Sequence, residues 1–226
     1  MPISGASSFV PTISDFLPSW DLVNTALGAA GPLVLRNPNG PVPPTVNRAA
    51  LITMRDDLQL KHTDITGQIN TVELAAAALK TMKVELHLRG GQFNDAVRSD
   101  LAGTTFAEAL PLLPSPGDGE GVFIEPMDDI STLWAKINAA VGIPGFTAPL
   151  LLLGGYSLSD FNTALGLLKT QFATVRKEQF LVTFKITERN RMQDLIYPVL
   201  KGYRQAVPTK FAATDPLVVT LPKLTP

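Results

Sequence analysis

FNTALGLLKTQFATVRKEQFLVTFKITERNRMQDLIYPVLKGYRQAV, residues 161–207, places an apolar residue at nearly every third or fourth position. The ladder runs Phe161, Leu165, Leu168, Phe172, Val175, Gln179, Val182, Ile186, Arg189, Gln193, Ile196, Leu200, Tyr203 and Val207. Eleven of these fourteen rungs are apolar. A repeat averaging 3.5 residues, kept up for about six heptads, is the pattern of a coiled-coil seam, because only supercoiling keeps such a stripe facing one partner.

A second ladder stands earlier in the chain: Asn47, Leu51, Met54, Leu58, Lys61, Ile65, Gln68, Val72, Ala75, Leu79, Met82, Leu86, Arg89 and Phe93. The two stretches predict two long helices, each on the order of 70 Å at a rise of about 1.5 Å per residue. Within one chain the simplest closure pairs them antiparallel. Gly67 costs a helix interior about 1 kcal/mol against alanine, whereas Pro198 removes a backbone donor and predicts a kink in the second helix.

Working outward, the segments ahead of the ladders repeat. Shifted by 114 positions, residues 9–28 fall on 123–142 without a gap: Phe9, Asp15, Trp20, Asn24, Ala26 and Gly28 match Phe123, Asp129, Trp134, Asn138, Ala140 and Gly142. Both tryptophans of the chain are used in this match. Further on, Ala50-Leu51 matches Ala164-Leu165, and both copies close on a proline-punctuated tail, Leu110-Pro111-Leu112-Leu113-Pro114 and Leu221-Pro222-Lys223-Leu224-Thr225-Pro226. The organisation expected is an N-terminal extension (1–8), a first repeat (9–114), a linker (115–122) and a second repeat (123–226). Each repeat opens on a short amphipathic helix, 13–27 with Ser14 as N-cap and 128–141 with Asp128 as N-cap. A loop rich in Pro and Gly follows each, and Thr45 and Ser159 are the expected N-caps of the long helices. The fold class is therefore all-α: an internally duplicated, four-helix-bundle-like arrangement of two long coiled-coil helices with short flanking helices, related by a pseudo-twofold.

Composition narrows the function classes. Of 226 residues, 45% are apolar and 17% charged, which is the balance of a globular chain able to bury a core. A net charge of −1 lacks the broad basic footprint of a nucleic-acid binder. The longest apolar run, Pro149-Leu150-Leu151-Leu152-Leu153, falls far short of a bilayer span, and Met1-Pro2-Ile3-Ser4 lacks the features of a secretory signal. No membrane insertion is expected, and the cytoplasm is the default location. Cysteine is absent, so thiolate metal sites and cysteine nucleophiles are absent with it.

The remaining chemistry-bearing residues form no recognisable set. His62 and His87 are too far apart for a helical ligand pair. Gly117-Asp118-Gly119-Glu120-Gly121 has neither the EF-hand pattern nor a P-loop ending and reads as linker. No catalytic residue, metal ligand or cofactor is therefore assigned. Residues singled out as a possible interaction surface are Phe9, the repeated Trp20 and Trp134, the apolar pair Phe180 and Phe184 outside the seam, and Leu217 and Val219 in the tail. The segments 7–11 and 217–221 are apolar without helical periodicity and are expected to be extended, available for exchange between copies.

Phe9-Val10-Pro11-Thr12, Trp20-x-x-x-Asn24, the loop 150–156 and the closing Leu221-Pro222-Lys223-Leu224-Thr225-Pro226 together make the chain resemble a group of uncharacterised bacterial proteins with a duplicated short-helix/long-helix unit. The resemblance implies the same architecture and no particular activity. The expectation is a non-enzymatic structural or assembly protein that self-associates or docks a protein partner. The alternative is a module binding a peptide or small apolar ligand in grooves beside Trp20 and Trp134.

Overall fold

The computed structural model describes residues 6–37 and 45–224. Its elements are almost all helical: α1 (Ala6–Leu27), a short β-ladder of β1 (Leu35–Arg36) and β2 (Thr45–Val46), α2 (Arg48–Asp100), α3 (Thr105–Glu108), α4 (Glu120–Ala139), α5 (Leu158–Ala206) and α6 (Pro216–Val219). β1 and β2 are antiparallel, with Leu35 opposite Val46. Among the described residues no helix is long and apolar enough to cross a membrane.

The two long helices are continuous. α2 passes through Gly67 and Gly90-Gly91, and α5 passes through Pro198. Their N-termini lie two residues from the expected caps, and the bonds show why. Asn47 Oδ1 accepts from Ala50 N at 2.9 Å, while Thr45 is committed to β2. Ahead of α5, Ser157 N donates to Asp160 Oδ2 at 2.9 Å and Asp160 N donates back to Ser157 Oγ at 3.3 Å, a reciprocal cap.

The short helices begin well before the predicted positions. α1 starts at Ala6 and contains Pro11 and Pro18; α4 starts at Glu120 and contains Pro126. Ser14 and Asp128, expected as caps, therefore lie inside helices. Ser14 Oγ donates to Val10 O, and Asp128 instead pairs with Lys169 at 2.7 Å. The segment around residues 7–11 is thus helical from Ala6 onward rather than extended. In the tail, Asp215 caps α6 by accepting from Leu217 N at 2.8 Å, with Pro216 at the favourable first position.

The chain divides into two compact units, residues 1–68 with 181–226, and residues 69–180. The first unit's core joins Phe9, Ile13, Phe16, Trp20 and Val23 of α1 to Leu51 and Leu58 of α2 and to Ile196, Val199, Leu200 and Tyr203 of α5. The second joins Phe123, Met127, Ile130, Trp134 and Ile137 of α4 to Leu86, Phe93 and Val97 of α2 and to Phe161, Leu165, Leu168 and Phe172 of α5. Neither core is complete without both long helices, which pack together with their numbering in opposite senses. In the first unit Met54 shares a groove with Met192, and Lys185 reaches toward Asp64. In the second, Leu86 meets Ala164, and Gln171 Nε2 donates to Ala75 O at 2.8 Å.

Candidate interaction surfaces

The tryptophans are interior residues. Trp134 is fully buried against Phe93 (ring centroids 5.1 Å apart) and Phe161 (5.8 Å), and its Nε1 donates to Leu150 O at 3.0 Å. One turn along α4, Asn138 Oδ1 accepts from Leu150 N at 2.8 Å. The i, i+4 spacing puts both side chains on one helix face, and together they satisfy both main-chain polar groups of a single loop residue. Trp20 and Asn24 on α1 make the corresponding bonds to Leu33, at 3.3 Å to its carbonyl and 2.8 Å from its N–H. There the ring packs on Tyr203 at 4.7 Å, and Tyr203 Oη lies 2.9 Å from Ser19 Oγ. Burial pushes the Tyr203 phenol above its ordinary pKa, and the bond to Ser19 opposes part of that shift. Both indoles are fully buried.

Phe9 belongs to the first core, and Leu217 packs half-buried against it. Three other candidates face solvent: Phe180 is 68% exposed, Val219 70% and Phe184 53%. Phe184 lines a shallow hollow of about 160 Å³ with Lys61, Asp64, Lys185 and Glu188. The long helices expose further large apolar side chains, among them Leu60, Leu74, Val84, Leu88 and Leu167.

Further grooves open between α2 and α5. In the first unit Ala50, Thr53, Met54, Asp57, Met192, Leu195 and Ile196 enclose about 320 Å³. In the second unit Met82, Glu85, Leu86, Ala164 and Leu167 enclose about 90 Å³.

A polar arrangement not anticipated from the sequence lies on α2. Lys83, buried to 7% exposure, donates through Nζ to Asp118 O; His87 Nδ1 lies 2.8 Å from Pro114 O; Asn94 Nδ2 donates to Pro111 O at 3.3 Å. Positions 83, 87 and 94 share a face of the helix, so three side chains grip three carbonyls of one proline-rich strap, residues 111–118, which ends in a turn at Ser115–Asp118. Gly90 lies between them and lets Leu113 in: a Cβ there would stand 2.7 Å from Leu113 Cδ2. The Lys83 ammonium also sits 5.1 Å from the ring centre of Phe123 and 5.8 Å from that of Phe172. Desolvation lowers its pKa, and the Asp118 charge opposes this. The spacing of polar residues on α2 and the prolines of the strap were each visible, but their partnership is non-local.

Nearby, Arg89 stacks 4.3 Å over Tyr156, whose phenol is raised by burial against the opposing effect of Arg89. Asp160 is held below its ordinary pKa by the two bonds from Ser157. Among the described residues no three His, Asp or Glu side chains gather in a way that could hold a metal ion. These arrangements hold chain segments in place. A comparison of the chain with known protein families, curated proteins and solved structures found no match.

Proposed function

We propose that the chain is a non-enzymatic helical scaffold that associates with copies of itself, built by tandem duplication of a short-helix/long-helix unit. The duplication reading is supported by the paired latches, Trp20–Asn24 on Leu33 and Trp134–Asn138 on Leu150. It is supported too by cores in which Phe9, Ile13, Phe16, Trp20 and Val23 correspond to Phe123, Met127, Ile130, Trp134 and Ile137. A pseudo-twofold pairing of the long helices along a coiled-coil seam follows from that reading.

The observation that carries self-association is the set of large apolar side chains left in solvent on α2 and α5: Leu74 is 73% exposed, Phe180 68% and Leu60 60%. Ordinary surfaces carry single exposed leucines, and a scaffold that is covered on assembly carries many along one element. Light scattering after size exclusion, across a wide concentration range, tests this. Discrete oligomers growing with concentration are expected, and a monomer of 24.2 kDa at every concentration would remove the reading.

A second reading is favoured by the 320 Å³ groove: an apolar ligand with a cationic group could lie on Met54, Met192 and Ile196 with its charge toward Asp57. At the position corresponding to Thr53 the second unit has Leu167, and its groove is smaller. Thr53→Leu should therefore abolish binding of a hydrophobic amine dye while leaving the melting temperature unchanged; equal binding by the variant would discard the site.

A further inference from the structure

Two of the side chains that hold the strap keep bonding capacity that the strap does not use. Asn94 is 4% exposed; its Nδ2 donates to Pro111 O at 3.3 Å, while its Oδ1 is buried without a hydrogen-bond partner. Proline has no N–H to offer that oxygen. Elsewhere the chain satisfies both main-chain groups of a clasped residue, as at Leu150, whose N–H goes to Asn138 and whose carbonyl goes to Trp134. Lys83 is the second case. Its ammonium lies against Phe123 and Phe172 and donates to Asp118 O, a neutral acceptor. The Asp118 carboxylate instead accepts from Ser115 N at 2.7 Å, and no carboxylate among the described residues forms an ion pair with Lys83. A buried ammonium is satisfied best by an anion.

Between Asn94 and Lys83 lies a recess the size of one leucine. In the first unit α5 gives its core Ile196, Leu200, Tyr203 and Val207. In the second unit α2 repeats that spacing with Leu86, Gly90, Phe93 and Val97. Gly90 therefore stands where the first unit has a leucine, and Leu113 of the strap fills the gap, its Cδ2 2.7 Å from where a Cβ would be. A leucine on the helix leaves the core only when the helix unfolds, whereas a leucine on a strap leaves whenever the strap lifts.

We infer that the face of α2 bearing Lys83, Gly90 and Asn94 is a docking groove for an extended, acidic, leucine-bearing peptide of a partner protein, with the strap as its resident competitor. The peptide's leucine takes the Gly90 recess. A residue other than proline two places before it presents its N–H and C=O on one side, as in a sheet, so Asn94 bonds both. A carboxylate beyond the leucine pairs with Lys83. From position 94 to 83 the helix advances about 16 Å, which extended chain covers in about five residues, so the acid falls about three places after the leucine. This docking is independent of self-association between copies.

Fluorescence anisotropy on the full chain tests the groove with a labelled peptide of residues 109–116 carrying Pro111→Ala and Pro116→Glu, titrated to about 1 mM. In a Leu113→Ala variant the strap loses its anchor, and the peptide is expected to bind roughly tenfold or more tightly than to the parent. Adding Gly90→Leu to that variant moves the leucine onto the helix, as at Leu200. This double variant should keep the parent's circular dichroism and bind the peptide no better than the parent does. The unsubstituted 109–116 peptide is expected to bind the Leu113→Ala variant roughly tenfold or more weakly than the substituted one. Equal binding of the two peptides, equal binding by the single and double variants, or no binding to Leu113→Ala would each overturn the assignment. Should either variant fail to fold, the parent decides: a preference for the substituted peptide supports the groove, and equal or absent binding overturns it.

Discussion

Lys83 shows how a single residue can couple a surface segment to the interior. Its ammonium is packed between Phe123 and Phe172 and is bonded to the carbonyl of Asp118. Desolvation lowers its pKa from 10.5, so the folded chain releases this proton at lower pH than the unfolded chain does. Below the lowered value both states hold the proton, and the native state bears the full cost of the buried charge. Between that value and 10.5 the unfolded state binds more protons, so stability from this group rises with pH. Lys83→Met keeps most of the volume and has nothing to titrate. The expected outcome is that the parent gains unfolding free energy relative to Lys83→Met as pH climbs through that alkaline window. Denaturant titrations at stepped pH measure it, and a difference between the two proteins that stays flat with pH would refute the linkage.

At the scale of elements, legibility tracked the range of the interactions that decide each feature. The seams of α2 and α5 were readable because burial imposes periodicity directly. Phe161, Leu165, Leu168, Phe172 and Val175 are all buried, as are Ile196, Leu200, Tyr203 and Val207, while Val182 and Ile186 are only partly covered. Helix starts were less readable, because several residues could cap and tertiary context selects among them: Asn47 and Ser157 took the roles that Thr45 and Ser159 could have filled. Pro11, Pro18 and Pro126 argue locally against a helix, yet α1 and α4 run through them. Phe9 and Phe123, one turn or so ahead of the buried stripe, are pulled into the cores and favour extending each helix backward over its proline. The repeated Trp and Asn were legible as a pair, but their joint acceptor and donor on Leu33 and Leu150 was not. Those residues lie in loops whose path depends on the bonds themselves. For the same reason the grip of α2 on the strap at Pro111, Pro114 and Asp118 had no local signal.

At the scale of the whole molecule, the first compact unit is built from the two ends of the chain, residues 1–68 and 181–226, and the second from the stretch between them, so neither coincides with residues 9–114 or 123–226. The first needs α1 and the start of α2 from residues 1–68 together with the end of α5 from 181–226, and the second needs the end of α2 together with α4 and the start of α5. A fragment of residues 1–114 would hold Trp20 without Tyr203, and Phe93 without Trp134; a fragment of residues 115–226 would hold the complements. Each fragment alone would hold only part of each apolar core and expose it, and burying that surface stabilises by roughly 25 cal/mol per Å². Without it a long helix in water is marginal, since most helical stability in proteins comes from packing of the apolar face. The two fragments are therefore expected to be poorly structured separately and to recover native tryptophan fluorescence and near-ultraviolet dichroism when mixed one to one. Cutting the covalent link at residues 114 and 115 leaves every core contact intact, so the reassembled pair should melt cooperatively but at a temperature that rises with concentration. Two fragments that each fold cooperatively and ignore one another on mixing would show that the halves, rather than the interleaved units, carry the stability.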